Sequence, residues 1–253
     1  MDIVSPHGPI DIEARLNALA RRYERAGSFG IDLLNLIGGR AEGLLDRLPE
    51  AVRSHLDGAT TRALEQAMKA AHESRGLVSD QKSWLNATIG AAMGAVGGLG
   101  GLPTALAELP VTTTLLLRVI EGVAVEHGFD AADEGVQFDC IQVFASAGPL
   151  EVDDGADLGF ISARVTLTGT AVQSLITRVS PRLATVLGQK LAAQTIPILG
   201  AVAGAATNYA YTSYYQEMAH VHFGLRRLAI DADVSLDGLV DRLREKVQAK
   251  PAA

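Results

Sequence analysis

The chain reads as all-α, a single multi-helix bundle of about nine or ten helices around two central glycine- and alanine-rich helices. Three observations carry this. Apolar residues recur at helical spacing through most of the chain. No segment sustains an apolar–polar alternation bounded by turn dipeptides. Small residues supply much of the apolar content: of 253 residues 26 are glycine and only 5% are aromatic, although 48% are hydrophobic. Small faces suit close helix–helix approach better than a sheet sandwich.

The elements follow in order. Residues 12–26 place Leu16, Leu19 and Tyr23 on one stripe, with arginines elsewhere. Residues 29–48 read as a second helix, weakened by Gly38 and Gly39. The next helix has Pro49 at its first position and Gly76 at its C-cap, and Asp80 caps the one after it. Pro103 and Pro110 interrupt the stretch GGLGGLPTALAELPVTTTLLLR (97–118). Residues 111–126 form a strong helix stopped by Gly128. Asp130 suits the N-cap of the following helix, with Asp133 and Glu134 favourable in its first turn. Residues 148–159 are the clearest loop, and its acidic part lacks the glycine and glutamate positions of a calcium loop. A helix over 160–178 ends where Ser180 and Pro181 start another as cap and first-turn proline. Pro197 opens a long helix to about Leu228, and Ser235 caps a last amphipathic one. Residues 1–11 and 248–253 are tails around one domain over 12–247.

Charge and cysteine narrow the function classes. A net charge of −7 argues against nucleic acid, whose phosphates demand clustered Lys and Arg. It also weakens docking onto an anionic lipid surface. The single Cys140 forms no internal disulfide, and the N-terminus lacks the basic start and apolar core of a signal peptide. A cytoplasmic chain, with any membrane contact peripheral at the inner face, is expected.

Two runs carry no charge, residues 84–107 and 191–216. Each exceeds the roughly 20 residues that span a hydrocarbon core. Their composition favours close packing instead: six glycines fall within 90–101, and the second run holds Gln194, Thr207, Asn208 and four tyrosines. The faces Gly90/Gly94/Gly98 and Gly200/Gly204/Asn208 are the expected contact surfaces. A phosphate-cradling loop is disfavoured, because GGLGGLPT lacks the P-loop lysine and follows no strand.

These pieces together resemble the EcsC protein family. The matching stretches are LLNLIGGRAEGLLDRLPEAVRSHL, GGLGGLPTALAELPVTTTLLLRVIEGVAVEHGFD, FISAR and IPILGAVAGAATNYAYTSYYQEMAHVHFGLRRLA, spread over residues 12–229. Glu108 stands where the family pattern has an aspartate, and Phe160 where a tyrosine is common. The resemblance implies an accessory role linked to ABC transporters, with no established reaction. The acidic-Leu-Pro helix ending in HG is also similar to helical domains that accompany some membrane-associated GTPases.

Candidate binding residues are Glu108, Arg118, Glu121, Arg164, Lys190, Gln194 and Asn208, a polar pocket between the small-residue helices. Charges inside an apolar bundle are costly unless paired, so pairing among these five ionisable residues is expected. Arg118 can reach Thr114 and Glu121 on adjacent turns. Asn208 is expected to hydrogen-bond a neighbouring helix backbone. Leu99 and Leu102 are the candidate membrane or partner contacts. Glu217 and His220 have the spacing of a carboxylate–histidine metal pair, but a single pair is too few for a di-iron bundle, and no metal is expected. GxSxG, HExxH and CxxC are absent, so no catalytic residue and no cofactor are assigned. Three functions stay open: a non-enzymatic, membrane-associated accessory protein binding lipid or a membrane protein such as an ABC transporter; a hydrolase-type enzyme with a buried Glu/Arg site; and a helical adaptor for a transporter or GTPase, docking through residues 29–48.

Overall fold

A computed structural model describes residues 10–36, 43–75, 109–145, 148–150, 171–194 and 200–249. Among them stand eight α-helices, one 3-10 turn (Leu45–Arg47) and no strand. The helices are α1 (Ile12–Leu36), α2 (Glu50–Arg53), α3 (Leu56–Arg75), α4 (Leu109–Glu126), α5 (Glu134–Phe144), α6 (Ala171–Gln194), α7 (Gly200–Ala232) and α8 (Leu236–Gln248). The all-α expectation holds. Leu99, Leu102, Glu108, Arg164 and the first uncharged run lie outside the described residues, as does the side chain of Gln194.

α7 is the central helix. It packs against α1, α4, α5, α6 and α8. Between residues 204 and 223 only Tyr209 is exposed. A helix buried nearly all round explains its uncharged first half, because an unpaired charge there would meet no water. The described part of the second uncharged run is therefore core: Leu191, Ala192 and Ala193 are buried, and so are Ala210, Tyr211, Tyr214 and Tyr215. No helix of the described residues is long and apolar enough to cross a membrane.

Contacts fix the helix directions. Arg15 pairs with Asp231, Arg22 and Arg25 with Glu217, and Phe29 stacks edge-on against Tyr209. α1 thus runs antiparallel to α7. Asp139 lies beside His222 and Phe144 beside Tyr215, so α5 is antiparallel to α7 as well. His127 meets His220 and Phe129 meets Phe223, so α4 runs parallel to it. α6 precedes α7 across residues 195–199, a connection short enough to join antiparallel neighbours. α3 contacts α4 and α6, the two helices that flank α7.

Several boundaries differ from the sequence expectation. Residues 12–36 form one helix where a break was expected near Gly27. Ser28 donates its hydroxyl to the Arg25 carbonyl, and Gly30 admits the Pro149 carbonyl against its backbone, so the helix continues through both glycines. Residues 50–75 split at Ser54 and His55 into α2 and α3. α6 runs unbroken through Pro181. The Ser180 hydroxyl turns back to the Ile176 carbonyl (2.7 Å) instead of capping a new helix. Buried Ile176, Leu183, Val186 and Leu187 on both sides of the proline hold the helix through it. α7 continues past Leu228 to Ala232, where Asp233 takes a left-handed φ of 51° and the Val234 N–H returns to the Ala229 carbonyl. Gly128, with φ 80°, ends α4 as expected.

The cap of α5 is Asp133, three residues beyond the expected Asp130. Asp133 Oδ1 accepts from the N–H groups of Gly135 (2.7 Å) and Val136 (3.3 Å), while Asp130 Oδ1 accepts from Ala132 N–H in the preceding turn. Asp133→Ala is expected to cost about 1 kcal/mol in chemical denaturation, and Asp130→Ala clearly less. Equal losses would put the cap elsewhere.

Candidate functional site

Among the described candidate binding residues, Glu121, Lys190 and Asn208 are buried in the bundle. Glu121 on α4 is 0% exposed and Lys190 on α6 is 1% exposed. Arg118, on α4, is partly buried. None of these three is without an interaction partner, as buried charges require. The Thr114 hydroxyl donates to the Pro110 carbonyl (2.7 Å) within its own helix, not to Arg118.

Helix registers place these residues relative to one another. Tyr211 donates its hydroxyl to the Val186 carbonyl (3.1 Å). Four residues back along α7 and four on along antiparallel α6 bring Thr207 level with Lys190. Stepping back fourteen residues along parallel α4 and α7 from the His127–His220 contact reaches Thr113 and Ala206. Thr113, Thr207, Asn208 and Lys190 therefore stand at a similar height along the bundle. Glu121 lies about 12 Å further along the α4 axis. Asn208 shares a stripe with Thr212 and Tyr215 (i, i+4, i+7), and Tyr215 packs on Phe144 of α5, so the stripe faces the bundle interior.

Asn208 departs from the expectation. Its side-chain oxygen is buried and, among the described residues, accepts no hydrogen bond from a neighbouring backbone. Of the adaptor face expected over 29–48, Leu33, Leu44 and Leu48 are core residues and Ile31 is exposed, while residues 37–42 and the side chains of 34–36 lie outside the described residues.

Glu217 and His220 part company. Glu217 is clamped by Arg22 Nη1 (2.8 Å) and Arg25 Nη1 (3.0 Å) from α1. His220 Nδ1 lies 3.1 Å from His127 Nε2, and its other nitrogen 3.9 Å from Glu126. Burial first, then Arg22 and His127, push His220 down to about 3 from its usual 6.5. Burial and Arg22 lower His127 too. Among the described residues no group of three or more His, Cys, Asp or Glu side chains is placed to hold a metal ion.

A second polar cluster lies toward the same end. Asp139 of α5 sits 3.4 Å from His222 Nε2 and pairs with the Arg226 guanidinium, which stacks over the Phe129 ring at 5.0 Å. Burial lowers His222 to about 3. Both histidines are neutral at neutral pH, and the clusters join helices through polar contacts. Sequence reasoning missed these partners because they lie far apart in the chain. Arg22 and Arg25, on one face at i and i+3, were the single local sign of a carboxylate clamp.

At the opposite end the surface changes character. The C-terminal end of α1, the N-terminal ends of α4 and α7 and the C-terminal end of α6 come together there. Residues 109–117, 191–194 and 200–216 carry no charge, and α1 beyond Arg25 carries only Asp32. Ile31 is 60%, Val111 51% and Tyr209 47% exposed at this end. Exposed Val125, Ile230 and Val234 at the other end lie among charged neighbours.

The arrangement can now be set beside known proteins. No curated protein and no solved structure is a significant match. The model of the EcsC protein family matches residues 45–228, from the 3-10 turn to the last core leucine of α7 and well over half of the chain. The chain belongs to the EcsC protein family.

Proposed function

We propose that this chain is a non-enzymatic accessory protein that acts at the inner face of a membrane, docking through the uncharged end of its bundle. The observation that carries the reading is the lengthwise segregation of charge. Ion pairs join α1 to α7 and α8 and α5 to α7, whereas the helix stretches 26–36, 109–117 and 204–216 expose Ile31, Val111 and Tyr209 and carry Asp32 as their single charge. An aliphatic pair with a tyrosine suits the boundary between headgroups and acyl chains, where a ring can bury its body and keep its hydroxyl wet. Peripheral docking needs no spanning helix, which agrees with the lengths and compositions of the described helices. The family's association with ABC transporters makes a membrane protein the natural beneficiary of such docking.

The test is co-sedimentation with phosphatidylcholine vesicles, with and without anionic lipid. The native chain is expected to sediment with both, since the end carries little charge. Ile31→Asp combined with Val111→Asp is expected to lower the bound fraction at least about tenfold, because two charges would enter the bilayer interface. Native protein that stays in the supernatant with every vesicle, yet is retained by a native membrane fraction, would replace the lipid surface with a protein partner.

A further inference from the structure

Few ties hold α8 to the bundle. Leu239, Val240 and Leu243 are its buried side chains, and it packs against α1 and α7. Polar contacts reach α1 alone: Glu13 takes both Arg242 and Lys246, and Lys246 also donates to the Asn17 side-chain oxygen (2.9 Å). These contacts advance from 13 to 17 on α1 and from 242 to 246 on α8. The last helix therefore folds back from α7 and lies parallel to α1. Leu16 and Ala20, both buried, share the α1 face of Glu13 and Asn17.

The turn that places α8 is weakly encoded. Residues 233–235 read Asp-Val-Ser, with neither glycine nor proline. Asp233 takes the left-handed φ of 51° without being glycine, and Ser235 at the N-cap makes no side-chain cap hydrogen bond. A helix of 13 residues is too short to hold in water by itself, so α8 depends on its seat. Glu13 and Arg242 are exposed at that seat, where salt screens a charge pair. Both α1 and α8 lie outside residues 45–228, the stretch that matches the EcsC model.

We infer that α8 is a releasable strap, opening about residues 233–235 as one unit while the other helices stay packed, with Glu13 as its latch. Opening uncovers the Leu16–Ala20 face of α1 together with the apolar face of α8. This is the end of the bundle opposite Ile31, Val111 and Tyr209, so the inference does not depend on docking there. Local opening of this kind draws on elements with few buried contacts. As the last described helix, α8 can leave without dragging a later element with it.

The test is amide hydrogen exchange of the full chain, native and Glu13→Gln, at low salt and in about 1 M NaCl. Residues 239–248 are expected to exchange at one common rate, at least about a hundredfold faster than the buried part of α7. High salt should speed that rate about threefold, since the pairs at the seat are exposed. Glu13→Gln should speed it about three- to tenfold at low salt, remove most of the salt response and leave α4, α5 and α6 unchanged. Glu13 is exposed, so the variant is expected to fold. Four results would overturn the strap or its latch. Exchange of α8 at the rate of α7 would mean that it opens only when the whole bundle unfolds. Protection that declines gradually from Leu239 to Gln248 would be end fraying. Faster exchange in every helix of Glu13→Gln would make Glu13 part of global stability. Fast exchange that neither salt nor Glu13→Gln alters would remove Glu13 as the latch.

Discussion

Stability is expected to fall steeply as pH drops below about 6.5, well before the carboxylates titrate. His220 and His222 are held neutral by burial, with folded-state values near 3 against 6.5 in the unfolded chain. A depressed pKa means that the folded state binds fewer protons, so the contribution is complete above pH 6.5 and is lost as pH falls from there toward 3. Each histidine adds a slope approaching about 1.4 kcal/mol per pH unit, and the pair about 2.7. Across the full interval the pair costs about 9–10 kcal/mol, which is comparable with a total stability of about 5–15 kcal/mol, so acid unfolding is expected to be driven largely by these two rings. His127 steepens the slope, since burial and Arg22 lower it in the same direction. Urea denaturation between pH 7 and 5 isolates the histidines, because most carboxylates stay ionised there. His222→Gln and His220→Gln should each flatten the slope by about one proton, whatever they do to stability at pH 7. A native slope near zero over this window would show that both rings already protonate in the folded state.

Two glycines on one helix are expected to respond with opposite signs. At Gly30 an added Cβ would fall 1.7 Å from the Pro149 carbonyl oxygen, and that atom is backbone. Gly30→Ala must therefore push the 148–150 turn off α1, or α1 off α7. Overpacking of this kind costs about 1–3 kcal/mol, and the rigidity of backbone places the expectation at the upper end. At Gly27 an added Cβ meets nothing within 4 Å. Gly27→Ala should stabilise by about 0.5–1 kcal/mol, since alanine restricts the unfolded chain and suits a helix interior. Denaturation midpoints of the two variants decide this. Similar midpoints would mean that the 148–150 turn does not press on α1.

The same glycines explain why helix boundaries were partly hidden. Gly27 and Pro181 both look like breaks in the sequence, yet α1 and α6 pass through them. Local propensity is worth about 1 kcal/mol at a glycine and about 3 at a proline. The buried stripes Leu16–Leu19–Tyr23 and Leu183–Val186–Leu187 outweigh that once they meet α7 and α3. The cap at Asp133 was hidden for another reason: Asp130 and Asp133 are both good caps, and backbone position alone chooses between them. The candidate site was legible as residue types, since Lys190, Glu121 and Asn208 stand out in apolar surroundings. Their relative placement was not, because it depends on how α4, α6 and α7 pack, and these helices lie far apart in the chain.

By itself the sequence determined that this chain is helical, that its central helix is poor in charge, and that it carries the EcsC motifs. Those properties reside in periodicity, composition and short spacing, which are local. Tertiary structure alone decided that most of the described part of the second uncharged run is core, that Glu217 pairs with Arg22 and Arg25, that two histidines far apart in the chain share a contact, and that exposed Ile31, Val111 and Tyr209 fall at one end. Each of these depends on which helices become neighbours and in which direction they run. Long-range packing sets that, and no local pattern encodes it.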